Sequence, residues 1–216
     1  MSIKKSKFKI CAALGENLWS SSKIERFQKK KWLRVKTQGF NVHYPQTSKN
    51  QAHLQPSVYL YGNRLKAKQK LRKFYGNISE KSFRSLYKKS VRKDNFIGLL
   101  ESRLDTIVYR MNFVPTPFAA RQLINHGAFL VNGKKATIKS TLLKVGDCVE
   151  VSDKAWSRVY HTMEKRVKVE SFIRPVPSYL EVDYSTLKGI YLYEPVFTEV
   201  PYSVPMNIDL VKEFYK

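Results

Sequence analysis

The sequence has little cysteine and few acidic residues. Its only cysteines, Cys11 and Cys148, are too few for a disulfide framework and lack the paired spacing of a zinc site. No stretch approaches the roughly 18 consecutive apolar residues of a membrane span. The four histidines are scattered among polar or basic neighbours, with no metal-ligand spacing and no nucleophile beside them. These absences predict no metal, no cofactor and a protein that binds rather than catalyses.

A large excess of positive charge is present instead. The chain has 40 Lys and Arg against 17 Asp and Glu, for a formal net charge of +23. The excess is uneven: residues 1–93 have a net charge of +21, residues 94–177 of +5 and residues 178–216 of −3. A charge of this size favours a polyanionic partner, because neutralised phosphates release their condensed counterions.

The first half of the chain is predicted to be a basic arm followed by two short helices. Residues 1–63 are basic and rich in polar residues, which indicates an irregular arm. Residues 64–92 show helical spacing of apolar residues on both sides of a break at Gly76-Asn77, with Ser79 as the N-cap of the second helix. The face opposite its apolar stripe is almost purely basic, which favours phosphate contact over a plain solvated surface.

The next segment contains clear signals for the beginning and end of helices and for a turn. Apolar spacing predicts a single helix over residues 98–113. Thr116, Pro117 and Gly127 then have the residue types of an N-cap, a first helical position and a left-handed residue after the helix end. The pair Asn132-Gly133 favours a two-residue hairpin turn.

Strands and a last helix are predicted beyond this turn. Residues 148–151 are predicted to form a strand, and residues 155–177 have no decisive period. The tail from Tyr179 alternates as short strands, and a short helix is predicted over residues 206–215.

This order of elements resembles the RNA-binding module of the ribosomal protein S4 family. The match is clearest over residues 99–151, which contain LLESRLDTIV and RQLINHGAFLVNGKKATIKSTLLKVGDCVEV. Further segments resemble the same family in the same order: LGENLW at 14–19, RLKAKQKLRKFYG at 64–76, EKSFRSLYKKS at 80–90, YLEVD at 179–183 and VPMNIDLVKEFYK at 204–216.

The resemblance implies an α+β fold and a set of domains. The basic arm and a helical rRNA-binding domain occupy residues 1–93 and are joined by a C-terminal helix at 204–216. A second domain at 94–185 contains the module at 98–152, in which two helices accompany a small β-sheet. Residues 186–203 form a connecting tail.

The resemblance also implies a function. It predicts a structural constituent of the small ribosomal subunit that binds small-subunit rRNA at a multi-helix junction, supports assembly and helps line the mRNA entrance. The implied partners are small-subunit rRNA, mRNA and neighbouring small-subunit proteins, in particular the fifth, with no membrane and no homo-oligomer.

The positions that face RNA in the family fall on thirteen residues of this chain. For Arg103, the alternative is an ion pair with Glu101 or Asp105. For His126 it is a partner of the helix C-terminus, and for the two hairpin lysines it is a solvated turn. The full set is Arg103, Arg121, Gln122, His126, Asn132, Lys134 and Lys135 in the module, and Lys68, Lys70, Arg72, Lys73, Arg84 and Lys88 in the helical domain.

Departures from the family point to an organelle. Ala128 and Phe118 stand where bacterial members usually have other residues, a bacterial loop with a Gln-His-Gly signature is missing between residues 36 and 58, and no zinc-binding set surrounds Cys11. These differences favour a mitochondrial protein, with a plastid or the bacterial cytoplasm as alternatives. Since the match begins near residue 8, synthesis inside the organelle is expected.

Two other functions are compatible with the module alone. Pseudouridine synthases carry a catalytic Asp in an Arg-Leu-Asp context, which Arg103-Leu104-Asp105 reproduces. Here the triplet lies inside the predicted module, where Asp105 is expected to pair locally, and about 65 residues after the module are too few for a catalytic sheet. A free-standing RNA chaperone with the same module would not need the matching N-terminal helices or tail.

Overall fold

The computed structural model describes residues 7–14, 16–19, 56–90, 95–170 and 174–215. Most of the predicted arm, including residues 20–55, lies outside them. No helix among these residues has the length and apolar character needed to cross a membrane. In chain order, the elements are α1 (Lys7–Leu14), α2 (Pro56–Phe74), α3 (Glu80–Ser90), α4 (Phe96–Glu101), α5 (Leu104–Arg110), α6 (Pro117–Asn125), β1 (Phe129–Val131), β2 (Lys134–Ala136), β3 (Cys148–Val151), α7 (Asp153–Glu170), β4 (Leu180–Asp183), β5 (Lys188–Tyr191) and α8 (Ile208–Tyr215).

The chain divides into two compact units, the helical unit (residues 1–74 and 202–216) and the module unit (residues 75–201). The helical unit therefore combines the N-terminal segment with the last helix. The sequence-based domain limits at residues 93 and 185 differ from this division. They stay a prediction.

In the helical unit, α2 packs against α8. Arg64 on α2 forms an ion pair with Glu213 on α8 at 3.0 Å, and the Tyr61 and Phe214 rings lie 5.7 Å apart. The indole N–H of Trp19 donates to the Phe74 carbonyl at 3.0 Å. The prediction of an irregular arm over residues 1–63 was wrong where α1 and the first residues of α2 lie. Helix α2 is stabilised by its packing against α8, and this tertiary contact could not be predicted from the local sequence.

In the module unit, the predicted helix over residues 98–113 is two short helices, α4 and α5, so that prediction was wrong. Arg103 is extended between them and bridges to Leu142. The amide of Leu104 donates to the Thr141 carbonyl at 2.9 Å, and the amide of Leu143 donates to the Ser102 carbonyl at 2.8 Å. Residues 102 and 103 are therefore not helical, because the backbone around them pairs with the loop at 139–143 instead.

The other signals in the module are confirmed. Thr116 Oγ1 accepts from the amide of Ala119 at 3.3 Å and caps α6. Asn132 and Gly133 have φ of 49° and 74°, the positive values of the predicted hairpin turn.

A five-stranded antiparallel sheet with the order β2-β1-β3-β5-β4 completes the module unit. Its inner face buries Phe129, Val149 and Tyr191. Gly189 on β5 admits the Met111 side chain, since a Cβ there would lie 2.6 Å from the Met111 Cε. The α+β fold class is confirmed. Helix α7 was not predicted, because exposed Trp156 and Val167 interrupt the amphipathic period.

A buried carboxylate joins α4 to α5 and to the residue just before β4. Glu101 is fully buried, and it accepts hydrogen bonds from the hydroxyls of Tyr75 at 2.6 Å and Tyr179 at 2.8 Å. Arg110 donates two more, at 3.0 and 2.7 Å. Burial by itself lowers the pKa of Arg110, but the Glu101 carboxylate outweighs it, and the pKa is raised well above its usual value. Every oxygen of the carboxylate is therefore paired, which a buried charge requires.

Candidate nucleic-acid interface

The exposed side of α6 and the hairpin after it carry the polar residues that the sequence singled out. The buried side of α6 is formed by Ala120 and Ile124, and the helix ends at its C-cap, His126. On the hairpin, β1 lies against β3 while β2 is an edge strand. The exposed predicted residues of this region are Gln122, His126, Asn132, Lys134 and Lys135.

A groove of about 520 Å³ runs between the end of α6, the hairpin and the start of α7. Positively charged side chains come from the hairpin and α7, His126 lies at the end of α6, and Asp153 is the one carboxylate among the described lining residues. The Lys135 side chain extends across Gly127, whose φ of +70° is favourable only without a Cβ. Three of the groove's lining residues, Lys135, Lys154 and Arg158, carry positive charge, which suits contact with phosphate groups. The lining residues are Leu123, His126, Gly127, Ala128, Leu130, Lys135, Ser152, Asp153, Lys154, Ala155 and Arg158.

Lys154 and Arg158 of this groove were missed by the sequence analysis. They lie four residues apart on α7, so both point to the same side of the helix. Their i,i+4 spacing was visible in the sequence. This spacing places two residues on one side only if the segment is a helix. The helix becomes evident only from the packing of Ala155 and Val159.

Arg103 and Arg121 converge on one buried carboxylate. Asp105 is 1% exposed and accepts from Arg103 Nε and Nη2, each at 3.0 Å, and from Arg121 Nε at 2.6 Å. Arg121 Nη1 donates to the carbonyl of Gly76, and Nη2 donates to that of Tyr75 at 2.6 Å. The local pairing of Asp105 with Arg103 is thus present, but inside the protein.

RNA contact by Arg103 and Arg121 stays a prediction. Arg103 is 4% exposed, and the Arg121 side chain is 14% exposed. The bonds described above give both guanidinium groups a structural role in the module unit.

Asn132 also has a structural role at the hairpin. Its side-chain amide donates to the Asp147 carboxylate at 2.9 Å and its carbonyl oxygen accepts from the amide of Cys148 at 2.9 Å. These bonds fix the turn, and with it the two lysines that follow, to the start of β3.

Helix α3 of the module unit has a basic outer face. Phe83 and Leu86 are buried, whereas Arg84 and Lys88 are exposed, together with Lys89. Its only acid is Glu80 in the first turn, where it complements the helix dipole. The arrangement leaves positive charge available along the exposed side.

Helix α2 of the helical unit places its predicted residues differently. The ammonium of Lys68 is buried over the Phe214 ring, 3.8 Å from its centroid. Lys70 forms an ion pair with Glu16 at 2.5 Å, while Arg72 and Lys73 are half-buried. RNA contact by these four residues stays a prediction, and Lys68 has an internal partner.

Among the residues described in the structure, no group of three or more His, Cys, Asp and Glu side chains could hold a metal ion. In the Arg103-Leu104-Asp105 triplet, Leu104 is a core residue and the Asp105 carboxylate is bonded to two arginines. A substrate has no access to that carboxylate in this arrangement.

Two family models and several named proteins match this chain. Residues 2–104 match the family model described as ribosomal protein S4/S9 N-terminal domain, and residues 102–149 match the S4 domain. Proteins named small ribosomal subunit protein uS4 are similar over 215 residues, with 97% of this chain and 96% of the relative covered. Those of Rhodospirillum centenum, Granulibacter bethesdensis and Paramagnetospirillum magneticum are 44%, 43% and 43% identical, respectively.

Proposed function

This chain belongs to the uS4 family of small ribosomal subunit proteins, and we propose that it is a structural constituent of a small ribosomal subunit that binds small-subunit rRNA. The observation that carries the proposal is the match across 97% of the chain, covering the arm, the module and the tail together. An RNA-binding module alone would also fit other RNA-binding proteins.

The exposed basic surface of the module unit is the proposed rRNA contact. His126, Lys135, Lys154 and Arg158 line one groove, and Lys134 lies beside it on the exposed hairpin. Gln122 and the Arg84 and Lys88 face of α3 extend the proposed contact. Phosphate groups bound by these side chains would reduce the repulsion between the positive charges on this surface.

The other predicted residues support rRNA binding in a second way. Arg103, Arg121 and Asn132 hold α5, α6 and the hairpin in place, and Lys68, Lys70, Arg72 and Lys73 belong to the packed helix α2. A rigid scaffold lowers the entropy lost when the exposed side chains engage RNA. Direct RNA contact through these seven residues remains part of the proposal.

The finer features of the family are also proposed for this chain. They are binding at a multi-helix rRNA junction, support of subunit assembly, a place beside the fifth small-subunit protein and a contribution to the mRNA entrance. The strongly basic N-terminal half, with a net charge of +21 over residues 1–93, supports contacts with more than one RNA segment.

A non-enzymatic role is proposed as well. The matched relatives are named as ribosomal proteins, and the Asp105 carboxylate that a pseudouridine synthase would need is held in two ion pairs. A free-standing RNA chaperone is disfavoured because the resemblance extends through the N-terminal and C-terminal segments.

For the location within the cell, we propose a mitochondrial ribosome. The missing Gln-His-Gly loop and the absence of a zinc-binding set around Cys11 in the sequence support it. The bacterial cytoplasm and the plastid are the alternatives, and the relatives named above are bacterial. Immunodetection of the protein in ribosomes from purified mitochondria, but not in other cell fractions, tests this part.

A salt wash of purified small subunits tests the ribosomal role itself. At about 1 M salt, the Debye length is about 3 Å, so exposed charge contacts are screened while a protein embedded in rRNA is retained. We expect the protein to co-sediment with the subunit after the wash. Quantitative release, with other small-subunit proteins retained in the same gradient, would contradict an integral role.

A further inference from the structure

An exposed strip in the module unit combines apolar and acidic side chains. The apolar-acidic strip comprises Leu192, Tyr193, Glu194, Val196, Phe197 and Glu199. Val196 is 54% exposed, and its three apolar companions are 37–39% exposed. Apolar side chains clustered within six residues of a surface segment mark an interaction surface more often than isolated ones do.

The strip is held rigidly by the residues between and beside its exposed side chains. The amide of Leu192 donates to the Tyr179 carbonyl at 3.0 Å. Glu199 accepts from the amide of Val196 at 3.2 Å and closes a short 3-10 turn. Val200 is buried, and Arg110 donates to the Pro201 carbonyl at 2.7 Å. A preorganised surface of this kind loses little conformational entropy when a partner binds.

The charge of the strip is opposite to that of the rest of the chain. Residues 189–207 contain Glu194 and Glu199 but no Lys or Arg, in a chain with 40 basic residues among 216. Both carboxylates lie on exposed residues. Phosphate groups are repelled by such a surface, whereas a Lys- or Arg-rich protein is attracted to it.

We propose that the apolar-acidic strip docks a basic protein neighbour in the small subunit, with Val196 and Phe197 against apolar side chains and Glu194 facing Lys or Arg. The inference rests on the proposed ribosomal role and adds the surface and the partner chemistry. An apolar centre with charged residues at its rim is the usual composition of a protein interface. The strip therefore complements the basic groove as a surface for protein instead of RNA.

Site-specific photo-cross-linking in assembled subunits tests the inference. One variant carries p-benzoylphenylalanine in place of Val196, and a matched variant carries it in place of Ile138, another exposed β-branched residue. Ile138 follows the hairpin strand β2 in the chain, two residues after the end of the strand that carries Lys134 and Lys135. After irradiation of purified small subunits, the cross-linked partners are identified by mass spectrometry and by nuclease sensitivity.

We expect the Val196 probe to join a Lys- or Arg-rich peptide of another small-subunit protein and the Ile138 probe to join rRNA. A Val196 product with rRNA, with a second copy of this chain or with an acid-rich peptide would overturn the inference. So would the absence of any Val196 product in subunits where the Ile138 probe reacts. Failure of both probes, with the protein missing from the subunits, would instead overturn the ribosomal role and the inference with it.

A charge reversal separates electrostatic docking from mere proximity. Adding Glu194→Lys to the Val196 probe variant should lower the yield of the protein cross-link several-fold, since like charges would then face each other. Glu164→Lys, an exposed change on α7, is the matched control and should leave the yield unchanged. Equal yields in the two variants would contradict the assigned partner charge.

Discussion

The Asp105 carboxylate accepts a hydrogen bond from Arg121 Nε at 2.6 Å, although the two residues lie sixteen positions apart. Arg103 binds the same carboxylate, and the remaining Arg121 nitrogens donate to the carbonyls of Tyr75 and Gly76. One buried acid thus joins α5, α6 and the segment that begins the module unit. Arg103 and Arg121, which the sequence predicts to contact RNA, therefore stabilise the module unit from inside.

Loss of the Asp105 charge should destabilise the module unit. In the Asp105→Asn variant, Arg103 and Arg121 would remain largely buried without their counter-charge, at a cost of about 3–5 kcal/mol. We expect a clearly lower urea midpoint, measured by circular dichroism on the full chain. Glu164→Gln, which removes an exposed ion pair on α7, should leave the midpoint unchanged. Equal midpoints for the two variants would show that the buried network contributes little.

Removal of the hairpin lysines should weaken RNA binding without unfolding the protein. The double variant Lys134→Ala/Lys135→Ala should lower the slope of log affinity against log salt by up to about two units, roughly one for each lost phosphate contact. Binding to small-subunit rRNA is measured by filter retention across a salt series. Lys188→Ala, at an exposed lysine on β5, should leave the slope unchanged. A lower melting temperature with an unaltered slope would assign the hairpin lysines a structural role only.

The basic groove should contribute to the same slope through α7. Arg158→Ala should reduce it by about one unit, since its guanidinium lines the groove with Lys135. The matched change Lys168→Ala removes an exposed charge further along α7, outside the groove residues. If both substitutions have equal effects, general basicity rather than the groove determines RNA binding.

Two glycine substitutions separate backbone strain from the placement of Lys135. Gly127 and Gly146 both have positive φ, so alanine should cost roughly 1–2 kcal/mol at either position. Only at Gly127 would the added Cβ overlap the Lys135 side chain, because nothing lies within 4 Å of a Cβ at Gly146. Gly127→Ala should therefore weaken RNA binding more than Gly146→Ala does, at a similar change in melting temperature. Equal RNA affinities would show that the position of Lys135 across Gly127 is unimportant.

The β4–β5 turn should show an unusually acidic carboxyl group. Hydrogen bonds from Ser185 and then from Thr186 lower the pKa of Asp183 to about 2. Because the folded pKa lies below the unfolded value, this group stabilises the fold above pH 4 and loses its contribution as the pH falls towards 2. Carbon-detected NMR titration of the Asp183 carboxyl should give a midpoint near 2, and Ser185→Ala should raise it. A midpoint close to 4 in the unaltered protein would contradict these bonds.

Features that depend on local chemistry could be predicted from the residues alone. Thr116 and Pro117 start α6 because a side-chain oxygen and a residue without an N–H suit the first turn of a helix. Asn132 and Gly133 form the hairpin turn because both tolerate positive φ. The net charge of +23 and the order of the family motifs are properties of the sequence alone, and together they indicate a ribosomal protein.

Features that depend on partners distant in sequence became visible only in the folded structure. The helix predicted over residues 98–113 breaks at Arg103 because the loop at 139–143 takes over the backbone hydrogen bonds there. Arg121 has the sequence context of an exposed RNA-binding residue, yet each of its three side-chain nitrogens donates to a partner inside the protein. The partners are Asp105 and two carbonyls from residues about 45 positions earlier. Lys154 and Arg158 enter the groove only because Ala155 and Val159 bury the opposite side of α7. Burial and pairing are set by the three-dimensional neighbours of a side chain, which periodicity and residue type do not contain.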